Sequence, residues 1–172
     1  IVEQDQEKVA ALYLLFKRLY TIIGTMIFFA GLIVMLFLPQ LAKDYSTINV
    51  NLYLTFFLTL ISVVLTYGYS AKTSLLNAYK NNYIATTITS CGTLIEDILK
   101  IIVIIATRSF VGYLICRIIA VLLQWVATSL ITNYKYHEVL HRKASIDTED
   151  KKQIINYIKA IFIHKIGPVL VN

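Results

Sequence analysis

Long apolar stretches are the feature of this sequence that most limits its fold. Residues 19–38, 45–71, 83–107 and 109–134 are each long enough to cross a bilayer, which requires about 20 apolar residues in a helix. The whole composition agrees, because 58% of the residues are hydrophobic, only 15% are charged and the mean hydropathy is +0.69. Water-soluble domains have far fewer apolar residues. We therefore predict an all-α, polytopic transmembrane bundle of four spans within residues 1–134.

The basic residues predict how these spans are oriented. Cytoplasmic loops of membrane proteins are enriched in Lys and Arg. One side of the predicted bundle carries most of the basic residues, whereas the loops of the other side carry only Lys43 and Arg108. We therefore predict a multi-pass protein of the cell membrane with both ends of the chain in the cytoplasm, where the bases attract anionic lipids. They flank spans and are not interleaved with exposed aromatic residues, so they do not indicate nucleic-acid binding. The cytoplasmic group is Lys8, Lys17, Arg18, Lys72, Lys80, Lys135, Arg142, Lys143, Lys151, Lys152, Lys159 and Lys165.

Residues 135–172 are predicted to leave the membrane and return to it. A polar linker up to residue 152 is followed by apolar residues at helical spacing over 154–162, with lysines on the opposite side. This pattern is typical of an amphipathic helix that lies on a membrane surface or on the cytoplasmic ends of a bundle. Gly167 and Pro168 then precede the predicted start of a further span. Since the chain does not begin with methionine, we expect it to be an internal piece of a longer protein.

Polar side chains recur at helical spacing in three of the predicted spans. Such stripes are expected either around a shared hydrated space or where hydroxyls bond to their own helix and to neighbouring helices. For the Ser and Thr residues alone, the second interpretation is favoured. The stripes comprise Thr55, Thr59, Ser62, Thr66, Ser70 and Thr73 in the second span, Thr86, Ser90, Thr93, Asp97 and Lys100 in the third, and Tyr113, Arg117, Gln124 and Thr128 in the fourth.

Four charged residues inside the spans are the candidate functional group. A charge at the bilayer centre costs about 2.5 to 3.5 kcal/mol and usually marks a pathway or a relay. Lys100 and Arg117 lie at similar distances from a tight turn, so we expect them at one depth with Glu96 or Asp97 between them. Two interpretations remain: a closed structural cluster, or cations that line a cavity for an anionic ligand while a carboxylate exchanges protons or binds Na⁺. Gln124 shares the stripe of Arg117 and is assigned to the same pathway.

Enzymatic and metal-binding motifs give little support for other functions. His137 and His141 have a spacing that can bind a metal, but no nearby third ligand accompanies them. Phosphate-binding and hydrolase motifs such as GxxxxGK[ST], GxSxG and HExxH do not occur in the sequence. We therefore expect neither a metal site, nor a cofactor, nor covalent catalysis.

Several segments resemble bacterial polysaccharide flippases of the oligosaccharide flippase family. Their third and fourth helices are similar to three segments of this sequence. These are residues 11–18, which begin with ALY and end with KR, the FLP at 37–39 that ends a Gly-containing span, and YSAKTSLL at 69–76. The run IKAIFIHKIG at 158–167 looks like the amphipathic segment before their seventh helix. Thr73 departs from the pattern, because a base is expected after Lys72.

The resemblance implies a fold and an activity. Members of the multidrug/oligosaccharidyl-lipid/polysaccharide exporter superfamily, which includes the multidrug and toxin extruders (MATE), have two six-helix lobes around a central cavity. This chain would supply helices three to six and the entrance to the second lobe. It would flip an undecaprenyl-diphosphate-linked oligosaccharide by alternating access, with Lys100 and Arg117 receiving the anionic substrate and Glu96 or Asp97 coupling movement to H⁺ or Na⁺. The alternatives are a cation-coupled multidrug exporter of the same superfamily, a membrane-embedded glycan polymerase or glycosyltransferase, and a bundle whose charges merely pair.

Overall fold

The computed structural model describes residues 2–41 and 51–141, and these residues are helical apart from short turns. Within them, the all-α prediction is confirmed. The predictions for residues 42–50, and for the linker, amphipathic helix and further span beyond residue 141, lie outside the described ranges. The helices are α1 (Val2–Leu36), α2 (Leu38–Leu41), α3 (Leu52–Ala78), α4 (Asn82–Thr107), α5 (Phe110–Lys135) and α6 (His137–His141).

Three helices in the described ranges are long and apolar enough to cross a membrane: Glu7–Leu36 within α1, Leu52–Ala78 and Phe110–Lys135. They indicate a membrane protein. Helix α4 is equally long at 26 residues, but it carries Glu96, Asp97 and Lys100 and does not meet the same standard of apolarity. Three of the four predicted spans therefore coincide with helices that are long and apolar enough to cross a membrane.

Two helices extend beyond the predicted spans. Helix α1 continues toward the N-terminus to Val2. Helix α3 passes the predicted end at residue 71 and continues to Ala78, because Leu75 and Leu76 are buried and stabilise its last turns. The short turn that follows contains Lys80 in the left-handed region, with φ 57°.

The long helices pack in the spatial order α1, α3, α5 and α4, so that α1 contacts α3, α3 contacts α5, and α5 contacts α4. Glycines permit the closest approach of α1 to α3. A Cβ atom added at Gly24 would lie 3.3 Å from the Cβ of Tyr67, and one at Gly31 would collide with Leu60. Small residues at helix contacts are the usual means by which membrane helices pack tightly.

The most buried cluster lies at the base-rich end of the bundle, which we define as the end that carries Lys17, Lys72, Lys80 and Lys135. Leu76 and Ala10 are fully buried there, and the ring of Tyr79 stacks on that of Tyr136 with centroids 4.5 Å apart. Asn81 Nδ2 also donates a hydrogen bond to the Tyr136 hydroxyl. The ends of α1, α3, α4, α5 and α6 are therefore fixed together at this end. The cluster consists of Ala10, Tyr13, Ala71, Leu75, Leu76, Ala85, Tyr136 and Val139.

Candidate functional site

A two-residue turn joins α4 to α5 and determines which charged residues of the two helices lie opposite each other. Arg108 adopts a left-handed conformation with φ 50°, and Ser109 caps α5 by accepting a hydrogen bond from the Gly112 amide at 3.2 Å. Beyond the turn, Gly112 lies close to Val103, because an added Cβ would be only 2.7 Å from Val103 Cγ1. The predicted antiparallel hairpin is therefore present.

Glu96, Lys100 and Arg117 form one cluster across this hairpin, which we call the charge triad. Lys100 Nζ lies 2.5 Å from Glu96 Oε1, and Arg117 Nη1 lies 3.0 Å from the same oxygen. The Glu96 side chain is 5% exposed, that of Lys100 11% and that of Arg117 41%. Lys100 and Arg117 thus meet at one depth with a carboxylate between them, as their distances from the turn predicted.

The two cations of the triad have different surroundings. Lys100 Nζ lies 4.5 Å from the centre of the Tyr113 ring, so α5 contributes a cation–π contact in addition to the ion pair within α4. Within the described residues, Arg117 donates one side-chain hydrogen bond, to Glu96. Because a guanidinium group has five N–H donors and this one is partly exposed, Arg117 retains donors for a further acceptor.

Asp97 lies outside the triad. Its side chain is exposed, and among the described residues it forms no ion pair, so of the two acids predicted to lie between the cations Glu96 takes that position. Asp97, Lys100 and Tyr113 line an open groove of about 360 Å³ together with Ile101, Ile104 and Ile105. The groove therefore has one acidic and one basic group on an otherwise apolar surface.

Gln124 is buried at the contact of three helices rather than in this groove. Its Oε1 accepts a hydrogen bond from the Tyr69 hydroxyl of α3 at 3.1 Å. On α4, an added Cβ at Gly92 would lie 2.5 Å from Gln124 Cγ, so glycine provides the space for the amide. The sequence did not point to Tyr69 as its partner, because nothing local relates residues so far apart in the chain.

The hydroxyls of α3 bond mainly to their own helix. Each of five side chains donates to a backbone carbonyl three or four residues earlier, which was the favoured interpretation for the Ser and Thr stripes. These five hydroxyls therefore do not need a hydrated space, whereas the buried Thr55 hydroxyl has no hydrogen-bond partner within the described residues. The donors and acceptors are Thr59 to Thr55, Ser62 to Thr59, Thr66 to Val63, Ser70 to Thr66 and Thr73 to Tyr69.

Helix α4 presents a different arrangement, with three arcs of distinct character. One arc, which includes Gly92 and the buried Glu96, packs on α5. A second arc is polar and exposed, and a third is apolar and exposed. The sequence signal for this packing face was a pair of small residues, Gly92 one turn and Ala85 three turns before Glu96. The polar arc holds Thr86, Ser90, Thr93 and Asp97, and the apolar arc holds Leu94, Ile98, Ile101 and Ile105.

The triad and the groove are suited to binding charged groups by electrostatic attraction rather than to forming covalent bonds. Two cations share one carboxylate, so the triad has a formal charge of plus one when all three groups are ionised. A guanidinium group with remaining donors is well suited to a phosphate or carboxylate. No family model, curated protein or solved structure matches this chain.

Proposed function

We propose that this chain is part of a flippase that carries an undecaprenyl-diphosphate-linked oligosaccharide across the cell membrane by alternating access. The observation that carries the proposal is the excess positive charge of the triad, of which Arg117 is the accessible member. A diphosphate offers several acceptor oxygens to a guanidinium group, which binds such groups in bidentate fashion. The resemblance of residues 11–18, 37–39 and 69–76 to polysaccharide flippases supports this substrate class.

The proposal includes α4 as a fourth span. If α5 crosses the membrane, a turn of only two residues obliges α4 to run back beside it through the same layer. At 1.5 Å per residue, the 26 residues of α4 extend about 39 Å, more than the roughly 30 Å of the hydrocarbon core. The triad offsets part of the cost of the charges, because Glu96 and Lys100 neutralise each other within α4.

The exposed polar arc of α4 then faces the central cavity of a MATE-like lobe, and its apolar arc faces lipid. In this arrangement Asp97 is the carboxylate that exchanges H⁺ or binds Na⁺, because it is exposed and Glu96 already holds two cations. The base-rich end faces the cytoplasm, in agreement with the positive-inside rule.

A cation-coupled multidrug exporter is the second candidate. Asp97 lies in the groove beside Tyr113 and three isoleucines, a surface that suits an amphipathic cation. The two candidates bind their substrates through different residues. The flippase requires Arg117, whereas the drug exporter requires Asp97 for binding of its substrate.

The test uses the chain in its full-length protein, reconstituted in vesicles with a fluorescent undecaprenyl-diphosphate oligosaccharide in one leaflet. Arg117→Gln should abolish translocation with little loss of stability, because the Glu96–Lys100 pair remains. Arg108→Gln, at the exposed turn, is the matched control and should translocate normally. Normal translocation by a folded Arg117→Gln protein would exclude the proposed role. Export of a cationic dye that depends on Asp97, without oligosaccharide transport, would favour the drug exporter.

A further inference from the structure

An apolar groove lies between α1, α3 and α5, away from the charge triad. Its volume is about 430 Å³, and its lining includes Gly24 and Phe28 of α1, Gly68 of α3 and Trp125 of α5. The groove is open to the surface, and Gly68 lets the Trp125 ring pack closely on α3, because an added Cβ would lie 3.2 Å from that ring. Its length runs along parts of helices that are long and apolar enough to cross a membrane, where lipids would be the neighbouring molecules.

Two lysines lie at the base-rich end of this groove. Lys17 comes one helical turn before the groove residue Thr21, and Lys72 comes one turn after Gly68. Residues four apart share a helix face, so both lysines are on the side of their helices that forms the groove. The antiparallel register places them at one level, since the hydroxyls of Tyr20 and Ser74 are 3.2 Å apart.

The two lysines have no acidic partner in the described part of the chain. The ion pairs found there belong to the charge triad, and Lys72 Nζ instead donates to Asn133 Oδ1 at 3.2 Å. On α1, the nearest acid whose side chain is described is Glu7, about 15 Å from Lys17 along the helix at 1.5 Å per residue. Among the described residues, two cations therefore face a common space without a counter-charge.

We propose that this groove binds an anionic phospholipid of the surrounding bilayer, with an acyl chain along the groove and the phosphate between Lys17 and Lys72. The groove supplies an apolar surface for the chain, and its charged end is complementary to an anionic head group. Basic pockets between membrane helices bind such head groups. A zwitterionic lipid gains less, because its own ammonium group is repelled by the lysines.

Trp125 allows a direct test, because it lines the groove and is the one tryptophan in the sequence. The full chain is reconstituted in phosphatidylcholine vesicles that contain either brominated phosphatidylglycerol or the same fraction of brominated phosphatidylcholine. Bromine quenches tryptophan fluorescence on contact. We expect stronger quenching by brominated phosphatidylglycerol. Each of Lys17→Gln and Lys72→Gln should reduce the affinity advantage of phosphatidylglycerol over phosphatidylcholine about fivefold. Lys8→Gln, at an exposed base nine residues before Lys17 and therefore on the opposite face of α1, should leave this advantage unchanged.

A second pair of variants tests the groove itself. Thr25→Phe adds bulk to a groove residue and should reduce quenching by both brominated lipids, whereas Met26→Phe, at a position 67% exposed outside the groove, should not. Circular dichroism verifies that each variant is folded. Equal quenching by the two lipids in the unmodified chain would overturn the proposal. An unchanged preference for phosphatidylglycerol in the variant that combines Lys17→Gln with Lys72→Gln would do the same. Displacement of brominated phosphatidylglycerol by added undecaprenyl-diphosphate oligosaccharide would also overturn it and assign the groove to that lipid.

Discussion

Replacement of Glu96 by glutamine should destabilise the bundle more than replacement of either cation. Both cations of the triad depend on one oxygen, so Lys100 and Arg117 each lose their ion pair in this variant. Arg117→Gln, in contrast, leaves the pair of Glu96 with Lys100, and Lys100→Gln leaves the pair with Arg117. The three single substitutions therefore differ in the number of unpaired charges that they create.

The geometry sets the size of the effect. The two nitrogens lie 2.5 and 3.0 Å from the shared oxygen, so they are at most about 5.5 Å apart. At about 5 Å and an effective dielectric constant near 20, two like charges repel by about 3 kcal/mol. Arg117 is partly exposed and can move away, which reduces the expected loss for Glu96→Gln to about 2 to 3 kcal/mol. Arg117→Gln should cost about 0.6 kcal/mol, the average for a polar contact between membrane helices.

Unfolding by sodium dodecyl sulfate in mixed micelles, followed by circular dichroism, measures these free energies. The paired change Glu96→Gln with Lys100→Gln is the control, because it removes one of the two repelling cations and should restore most of the stability. Ser90→Ala, at an exposed position of α4, should have little effect. If Glu96→Gln lowers the free energy of unfolding no more than Arg117→Gln does, the shared carboxylate does not hold the hairpin together and the reasoning is refuted.

The other predictions concern orientation, packing and coupling. In a background without Cys91 and Cys116, a cysteine at Arg108 should react with an impermeant reagent from outside and one at Lys80 should be protected; the opposite result would reverse the proposed orientation. Gly92→Ala should destabilise the protein by about 1 to 3 kcal/mol in the same unfolding assay, because the added methyl group would lie 2.5 Å from Gln124 Cγ, and an unchanged stability would show that the amide moves freely. Asp97→Asn should leave stability unchanged but remove the dependence of transport on a H⁺ or Na⁺ gradient, which transport assays with and without each gradient measure.

The hairpin and its charge pairing were predictable because they depend on short distances along the chain. Thr107, Arg108 and Ser109 interrupt two apolar runs, and counting from this turn places Lys100 opposite Arg117. The choice between Glu96 and Asp97 was not predictable in the same way. Both acids are spaced to reach Lys100, and the packing of α5 on one face of α4 decides between them.

Contacts between distant parts of the chain could not be predicted from the sequence. The bond from Tyr69 to Gln124 and the stacking of Tyr79 on Tyr136 depend on how α3 and α5 align, which hydrophobic periodicity does not specify. The extent of α3 beyond the predicted span was open for a related reason. Polar residues from Lys72 onward ended the span, whereas burial of Leu75 and Leu76 against other helices extends the helix to Ala78.

The cluster of aromatic and aliphatic side chains at the base-rich end has a mechanical consequence for the rest of the bundle. Helices α3 and α4 share little direct contact apart from the region next to the turn at Lys80 and Asn81, where the Asn81–Tyr136 bond joins the turn to the end of α5. Beyond this turn, the packing of α5 on α3 is what resists a tilt of the α4–α5 hairpin, and the fulcrum of such a tilt is the turn itself. Displacement grows with distance from a fulcrum, so a small tilt there moves the charge triad moderately and the turn at Arg108 most of all.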